Sequence, residues 1–212
     1  MLDIYDEFRT LVVVLDEHNI DYALCGGMAM AVHQRPRMTI DIDVLIQAES
    51  LDRVIAIATD LGYRIRGKDL SFANGAVEIR RVSKLDPELG DPLSLDLLLV
   101  TPQIRKVWDS RIESEWEGVT LSVVSRAGLI ALKQLRRSGQ DLDDIKALEE
   151  GERMNKVDMS AEAVTTRLRR VSQLRRLGLS LQKAKIKKEG DKTKAEKRRH
   201  DLASKPNNRK SE

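Results

Sequence analysis

The chain has 212 residues, 41% of them hydrophobic, so it is long enough to bury one substantial core. Its one cysteine excludes an intrachain disulfide and fits a reducing cytoplasm, and no apolar run approaches the roughly 20 residues that span a bilayer. Residues 1–7 lack the basic start and apolar run of a secretory signal. We therefore expect a cytoplasmic protein without a membrane segment.

The positive charge of the chain is concentrated at its C-terminal end. Residues 181–212 carry twelve Lys or Arg and five Asp or Glu, a balance of +7, and the chain total of +3 leaves −4 for residues 1–180. This tail has almost no apolar side chains to bury, which predicts a disordered segment or a fraying helix. Its basic residues either keep the protein soluble or contact the phosphates of a nucleic acid.

The first hundred residues alternate between predicted helices and strands. Apolar residues at helical spacing predict a helix over residues 2–18, and short apolar runs predict strands at 22–25 and 40–46, with a helix beginning at Met28 between them. Ser50 is a suitable cap for a helix that ends at Gly62. Further strands are predicted at 63–66, 70–72, 77–82 and 94–100, with a loop over 83–92 that contains two prolines.

The remainder of the chain is mainly helical. A strand at 119–124 is followed by a helix that Ser125 caps and that runs to about residue 137, where Gly139 breaks it. A second helix at 141–149 and a third at 161–177 follow. This irregular alternation predicts an α+β fold, a mixed sheet with helices packed against it. We divide the chain into a domain over residues 1–150, a helical extension over 151–180 and the basic tail over 181–212.

Asp41 and Asp43 are the most informative pair in the sequence. They lie two apart in a strand of β-branched and apolar residues, so both side chains leave the same face roughly 7 Å apart. Two carboxylates beside a core are costly unless a cation compensates them. Such oxygen ligands suit Mg²⁺, which typically shares one or two carboxylates with the phosphates of a nucleotide. The pair therefore predicts a metal-bound nucleoside triphosphate.

Gly26 and Gly27 support the same interpretation. They fall between a predicted strand and a predicted helix, where glycines allow backbone N–H groups to approach a phosphate closely. The partial positive charge of a helix N-terminus adds to this attraction. The glycine turn and the acidic strand are therefore expected to meet around one triphosphate.

The order of these features resembles the signature of the nucleotidyltransferase superfamily with the DNA polymerase β-like fold. Within that superfamily the chain is most similar to the minimal bacterial nucleotidyltransferases that include AbiEii-type toxins. The resemblance covers about residues 20–150 and rests on these segments: Gly26-Gly27, Ala29, His33, Arg37, Thr39, Asp41-Ile42-Asp43, Leu129-Ile130-Ala131-Leu132-Lys133 and Asp141-Leu142-Asp143-Asp144-Ile145. It departs from the family pattern at Gln140, where many members carry Arg or Lys, although Arg136 and Arg137 lie nearby.

The resemblance implies a metal site and a phosphate site. In the family a third acidic residue comes from a later strand, and Asp96 is the candidate here. With Asp41 and Asp43 it would hold one or two Mg²⁺ ions, with Mn²⁺ as the alternative ion, or accept the proton of the attacking hydroxyl. The residues implied to bind the nucleotide are Gly26, Gly27, Arg37 and Lys133.

Simpler roles stand beside several of these assignments. Arg37 either meets a phosphate or pairs with Asp41, and Lys133 is either a phosphate ligand or an exposed helical lysine. We expect His33 to bridge backbone groups rather than act as a base, because phosphoryl transfer depends mainly on positioning and charge. Cys25, among apolar neighbours, is expected to be a buried packing residue.

Two functions from different classes follow from the resemblance. The first is an enzyme that transfers a nucleoside monophosphate from a nucleoside triphosphate, ATP among the candidates, to an acceptor such as a tRNA 3′ end, another RNA or a protein. The second is an antitoxin or partner-binding module that acts mainly through a complex with a cognate toxin or antitoxin protein. The presence of all three carboxylates favours the enzyme over a catalytically silent relative.

Overall fold

The computed structural model describes residues 1–152 and 157–203, with side chains placed through residue 150 and from 157 to 185. Its helices are α1 (Ile4–Glu17), α2 (Gly26–Val32), α3 (Leu51–Asp60), α4 (Arg105–Asp109), α5 (Arg126–Arg136), α6 (Gly139–Glu152) and α7 (Ala161–Ala203). Its strands are β1 (Tyr22–Leu24), β2 (Asp41–Ile46), β3 (Ile65–Arg66), β4 (Leu70–Phe72), β5 (Val77–Leu85), β6 (Pro92–Leu99), β7 (Ile112–Trp116) and β8 (Val119–Val123).

These strands form one mixed sheet. Its order is β3-β5-β6-β2-β1-β8-β7, with β4 paired to β5 as a short hairpin. The β2–β6 and β1–β8 pairs are parallel, and the other pairs are antiparallel. The predicted α+β architecture is therefore confirmed, and the acidic strand β2 lies near the middle of the sheet.

Nearly every residue of β2 is buried, because helices pack against the central strands. Helix α1 begins where Asp3 accepts hydrogen bonds from two backbone N–H groups of its first turn, and it buries an aliphatic face that includes Leu11 and Leu15. Trp116 is fully buried and stacks against Phe8 at a centroid distance of 5.8 Å. The aromatic residues thus pack in the core, and Phe72 is the half-buried exception.

The structure corrects several predicted boundaries. Helix α4 and strand β7 were not predicted, and the loop over 83–92 is shorter because β5 continues to Leu85 and β6 begins at Pro92. The prediction that Gly139 breaks the helix is wrong. Helix α5 ends because Arg137 adopts a left-handed backbone, with φ of 53°, and Gly139 is the first residue of α6. Ser50 precedes α3 without capping it through its side chain, whereas Ser125 accepts a hydrogen bond from Gly128 N as predicted.

Helix α7 extends far beyond the predicted end at residue 177. The helical backbone continues to Ala203, so it includes residues 181–203 of the basic tail, while residues 204–212 lie outside the described residues. Met1–Arg175 forms one compact unit, and a second unit begins at Arg176. The division of the chain at residues 150 and 180 stays a prediction. Of the helices described, none is both long enough and apolar enough to cross a membrane.

Candidate active site

Three carboxylates converge on one face of the sheet. Strands β2 and β6 are parallel neighbours, and their register places Asp43 directly opposite Asp96, with Asp41 opposite Ser94. Carboxylate oxygens of the three aspartates lie within 4.8 Å of one another. Asp43 and Asp96 are 6% and 2% exposed, whereas Asp41 is only partly buried. The register of two strands therefore builds the triad that the sequence predicted.

This triad is electrostatically unfavourable without a cation. Burial, together with the nearby charges of Asp41 and Asp96, raises the pKa of Asp43 to about 8. The donor set consists of hard carboxylate oxygens, and such ligands suit Mg²⁺ and Mn²⁺ better than they suit the softer transition metals. The three residues therefore fit a divalent cation, whose binding would remove the repulsion that the structure otherwise carries.

Arg81 on β5 is a member of this site that sequence reasoning missed. It lies opposite Asp96 in the β5–β6 register and donates two hydrogen bonds of 2.6 Å to the two Asp96 oxygens. The guanidinium also lies 3.9 Å from Asp41, and the pKa of Arg81 is raised because Asp96 accepts its hydrogen bonds. Arg81 therefore holds Asp96 in a fixed orientation and neutralises part of the acidic cluster. Alternation along β5 would have placed Arg81 on the same face as Val77 and Ile79, and only the β5–β6 register brings that face to Asp96.

Gly26 and Gly27 let the start of α2 approach this cluster. Gly26 has a positive φ of 60°, and a Cβ atom there would lie 1.8 Å from an Asp43 carboxylate oxygen. A Cβ on Gly27 would lie 2.6 Å from the Thr39 side chain, whose hydroxyl donates to Asp41 at 2.7 Å. Packing against these side chains thus requires both glycines, and this is a structural reason for them in addition to the predicted approach of a phosphate.

Lys133 is not the exposed helical lysine that the sequence left open. It is 6% exposed, and its Nζ donates to Asp144 at 2.5 Å and to Asp141 at 3.4 Å. Burial raises the pKa of Asp141, but hydrogen bonds from Ser138 and the charge of Lys133 outweigh it and lower the value below normal. Lys133 is thus the centre of a buried ion cluster that joins α5 to α6.

Arg37 belongs to the same cluster. It donates to both oxygens of Asp144, at 2.8 and 2.9 Å, and to the carbonyl oxygen of Met38 at 2.9 Å. The expected alternative, a pair with Asp41, is therefore wrong: the partner is an aspartate 107 residues further along the chain. Arg37 fixes the segment before β2 against α6, and through it the approach to the acidic strand.

A cleft lies between the acidic triad and this ion cluster. It has a volume of about 360 Å³, so it is large enough for a nucleotide's phosphates. Its walls are formed by Gly26, Gly27, Arg37, Met38, Thr39, Ile40, Asp41, Asp43, Lys133, Arg136, Ser138, Gln140 and Asp141. All the predicted site residues except Asp96 line it directly, and Asp96 joins it through the triad.

Two further residues take the simpler roles expected of them. His33 is buried, and its Nε2 lies 2.8 Å from the carbonyl oxygen of Val124, while burial lowers its pKa. Cys25 is a buried free thiol whose pKa is raised well above its ordinary value, mainly by desolvation. Neither side chain lines the 360 Å³ cleft.

Comparison with known protein families identifies the family of this chain. The family model described as "Nucleotidyl transferase AbiEii toxin, Type IV TA system" matches residues 9–207, nearly the whole chain. The chain belongs to the AbiEii family. Members of the family are nucleotidyltransferases, and this AbiEii protein is accordingly a nucleotidyltransferase. No curated protein matches it in sequence.

Two solved structures with a similar chain path have low sequence identity to this chain. The lincosamide antibiotic adenylyltransferase LnuA, bound to lincomycin, is 16% identical, with 68% of this chain and 95% of LnuA covered at a TM-score of 0.42. ANT(2")-Ia, in complex with adenylyl-2"-tobramycin, is 18% identical, with 81% of this chain and 97% of ANT(2")-Ia covered at a TM-score of 0.48.

Proposed function

We propose that this AbiEii protein transfers a nucleoside monophosphate from a nucleoside triphosphate to a hydroxyl group of an RNA, as the toxin component of a toxin-antitoxin pair in the cytoplasm. The observation that carries the proposal is the convergence of Asp41, Asp43 and Asp96 within 4.8 Å at the edge of a 360 Å³ cleft. Cationic side chains line the same cleft. One site thus offers carboxylates that can bind a metal ion and basic side chains that can bind phosphates.

The carboxylate triad is the proposed metal site. Asp41, Asp43 and Asp96 would hold Mg²⁺ or Mn²⁺, which supplies charge stabilisation to the attacking and leaving oxygens of an in-line displacement. The acceptor oxygen forms a bond to the α-phosphorus, the bond to the β-phosphate bridge breaks, and pyrophosphate leaves. Asp96 serves as a ligand or accepts the hydroxyl proton, and Arg81 fixes its orientation while sharing both of its oxygens.

The phosphates are proposed to lie between the glycine turn and the cluster of Lys133 and Arg37. Gly26 and Gly27 bring the backbone into close contact with the Asp43 and Thr39 side chains, and so bring backbone N–H groups close to the triad. Lys133 and Arg37 add positive potential in a partly desolvated cleft, where electrostatic interactions are stronger than in water. Because both cations already bind Asp144, they contribute through fixed position more than through new hydrogen bonds.

An RNA acceptor is favoured over a protein acceptor by the charge of the chain. Residues 181–212 carry +7, and residues 181–203 of this segment are helical, so α7 presents a basic stretch suited to phosphate backbones. A tRNA 3′ end offers the free hydroxyl that the reaction requires. The same protein can also bind an antitoxin protein.

The experiment is a transfer assay with the full chain. Each of the four triphosphates, labelled at the α-phosphate, is incubated with Mg²⁺ or Mn²⁺ and with total tRNA, other cellular RNA or cellular protein. We expect label in the RNA fraction, at the 3′ end, with one triphosphate preferred. Label only in protein would change the acceptor class. No transfer from any triphosphate, together with a tight complex with a partner protein, would favour the antitoxin or partner-binding alternative.

A further inference from the structure

Arg136 differs from the other two cations among the described residues that line the cleft. Arg37 donates three short hydrogen bonds to Asp144 and Met38, and Lys133 is buried between two carboxylates. Arg136, in contrast, has a 3.8 Å ionic contact with Asp141, and within the described part of the chain its guanidinium donates no hydrogen bond of 3.5 Å or less. Its side chain is 39% exposed. The donors of Arg136 are therefore available to a ligand.

The position of Arg136 is nevertheless defined. Its guanidinium carbon lies 5.6 Å from the centre of the Phe72 ring, a cation–π distance. Phe72 ends β4 in the hairpin with β5, whose tight turn uses positive φ at Ala73, Asn74 and Gly75. A residue of the β4–β5 hairpin thus supports an arginine of α5 at the mouth of the cleft.

Arg136 also faces the acidic triad. It lines the same cleft as Asp41 and Asp43. A planar guanidinium with free donors suits a phosphate, which it can bind through two parallel hydrogen bonds. The neighbouring cleft residue Gln140 is uncharged and donates to Asp144, so it does not supply this contact.

We propose that Arg136 is the side chain that binds the triphosphate directly, and that Phe72 is the residue that positions it. The assignment rests on the proposed function, because it requires a triphosphate in the cleft. Lys133 and Arg37 then form the fixed wall of the site, and Arg136 supplies the donors that hydrogen-bond to the phosphates.

The test uses Arg136→Gln with Arg137→Gln as the matched control. Arg137 is the next residue, carries the same charge, and donates to the carbonyl oxygen of Gln134. Binding of the four non-hydrolysable triphosphate analogues and of the four nucleosides is measured with the full chain in Mg²⁺, and KM and kcat are measured with the transferred triphosphate. We expect Arg136→Gln to weaken analogue binding and raise KM by about tenfold or more. Arg137→Gln should change either value less than threefold, and nucleoside binding should not change in either variant.

Two further variants decide the assignment. Arg136→Lys should recover part of the affinity, and Phe72→Leu should raise KM with kcat nearly unchanged, since it removes only the support under the guanidinium. Equal effects of Arg136→Gln and Arg137→Gln on KM and analogue binding would overturn the role of Arg136, and so would a loss of nucleoside binding as large as the loss of analogue binding. In either case, transfer by the wild-type protein would leave the proposed function standing. A wild-type chain that binds none of the analogues would overturn both.

Discussion

At the residue scale, the burial of Lys133 changes what its substitution should do. An exposed lysine would contribute little to folding, but Lys133 compensates Asp141 and Asp144 in the interior. Replacing it by Met leaves two buried carboxylates with less compensation, so we expect the free energy of unfolding to fall by about 3 kcal/mol. Thermal or urea unfolding measures the loss.

The control for this substitution is Lys146→Ala, which removes an exposed lysine of the adjacent helix α6. It should alter the free energy of unfolding by about 0.5 kcal/mol or less. Lys133→Met should also raise KM for the triphosphate. A Lys133→Met protein as stable as the control would show that the ion cluster does not hold α5 against α6.

Asp43 makes metal binding depend on pH in a defined direction. Its folded pKa of about 8 lies above the ordinary value of 3.8, so the metal-free folded state holds a proton that the unfolded state releases between these values. Stability of the metal-free protein should therefore fall as pH rises through this window. A metal ion must displace the same proton, so its apparent affinity should rise with pH, by up to about tenfold per unit, and level off above about pH 8.

Metal titration by calorimetry between about pH 6 and about pH 9 checks this slope. Asp43→Asn provides the comparison, because it removes the proton that the metal displaces and relieves the repulsion in the triad. Its metal-free stability should exceed that of the wild type above pH 8. A wild-type metal affinity that does not change with pH over this range would contradict the assignment of Asp43 as a metal ligand with a raised pKa.

At the element scale, the pairing of β5 with β6 gives the site its internal cation. Because Arg81 compensates Asp96, Arg81→Gln should lower the metal-free free energy of unfolding by about 1–3 kcal/mol, the partial exposure of Arg81 reducing the loss. Mg²⁺ should then raise the melting temperature of the variant more than that of the wild type, since it replaces the missing charge and meets no competitor for the Asp96 oxygens.

Arg80→Gln is the matched control on the same strand. Arg80 pairs with Glu78 and Asp69, away from the triad, so its loss should leave the response to Mg²⁺ at the wild-type size. An equal Mg²⁺ response in Arg81→Gln and Arg80→Gln would show that Arg81 does not share the Asp96 oxygens with the metal. Both measurements are independent of enzymatic activity.

The same elements explain how far the sequence could predict the structure. Local patterns identified β2, the glycine turn and most helices, because hydrophobic periodicity and caps act within a few residues. The partner of Arg37 was missed because it comes from the packing of a helix 107 residues further along the chain. The partner of Arg81 was missed because it depends on the register of two strands, across 15 residues. The end of α5 was predicted within a residue, but a left-handed Arg137, and not Gly139, breaks the helix.

At the scale of the whole molecule, the chain separates into a net negative body and a basic segment. If the acceptor is RNA, residues 181–212 should raise its local concentration through phosphate contacts that release counterions. Deleting these residues should weaken RNA binding uniformly across sequences and flatten its dependence on salt concentration. Transfer to water or to a small hydroxyl acceptor should not change, because the deletion begins beyond the compact unit Met1–Arg175.

Filter binding at several salt concentrations measures both effects. A full-length variant in which Lys183, Lys185, Lys187 and Lys188 are replaced by Gln separates charge from length. It should reproduce part of the loss in affinity and part of the change in slope. Identical RNA affinity and salt slope with and without the tail would show that this segment does not bind RNA and would favour a protein acceptor.

The most direct test of the account is α-phosphate label transfer by wild type, Asp41→Asn and Asp43→Asn in Mg²⁺, with folding of each protein verified by thermal unfolding. Each variant loses one oxygen ligand of a triad whose members lie within 4.8 Å, so neither should bind the cation productively. We predict that both variants remain folded, with stability equal to or above that of the wild type, and that transfer falls at least about a thousandfold. Transfer at the wild-type rate by either variant would contradict the assignment of this triad as the catalytic metal site.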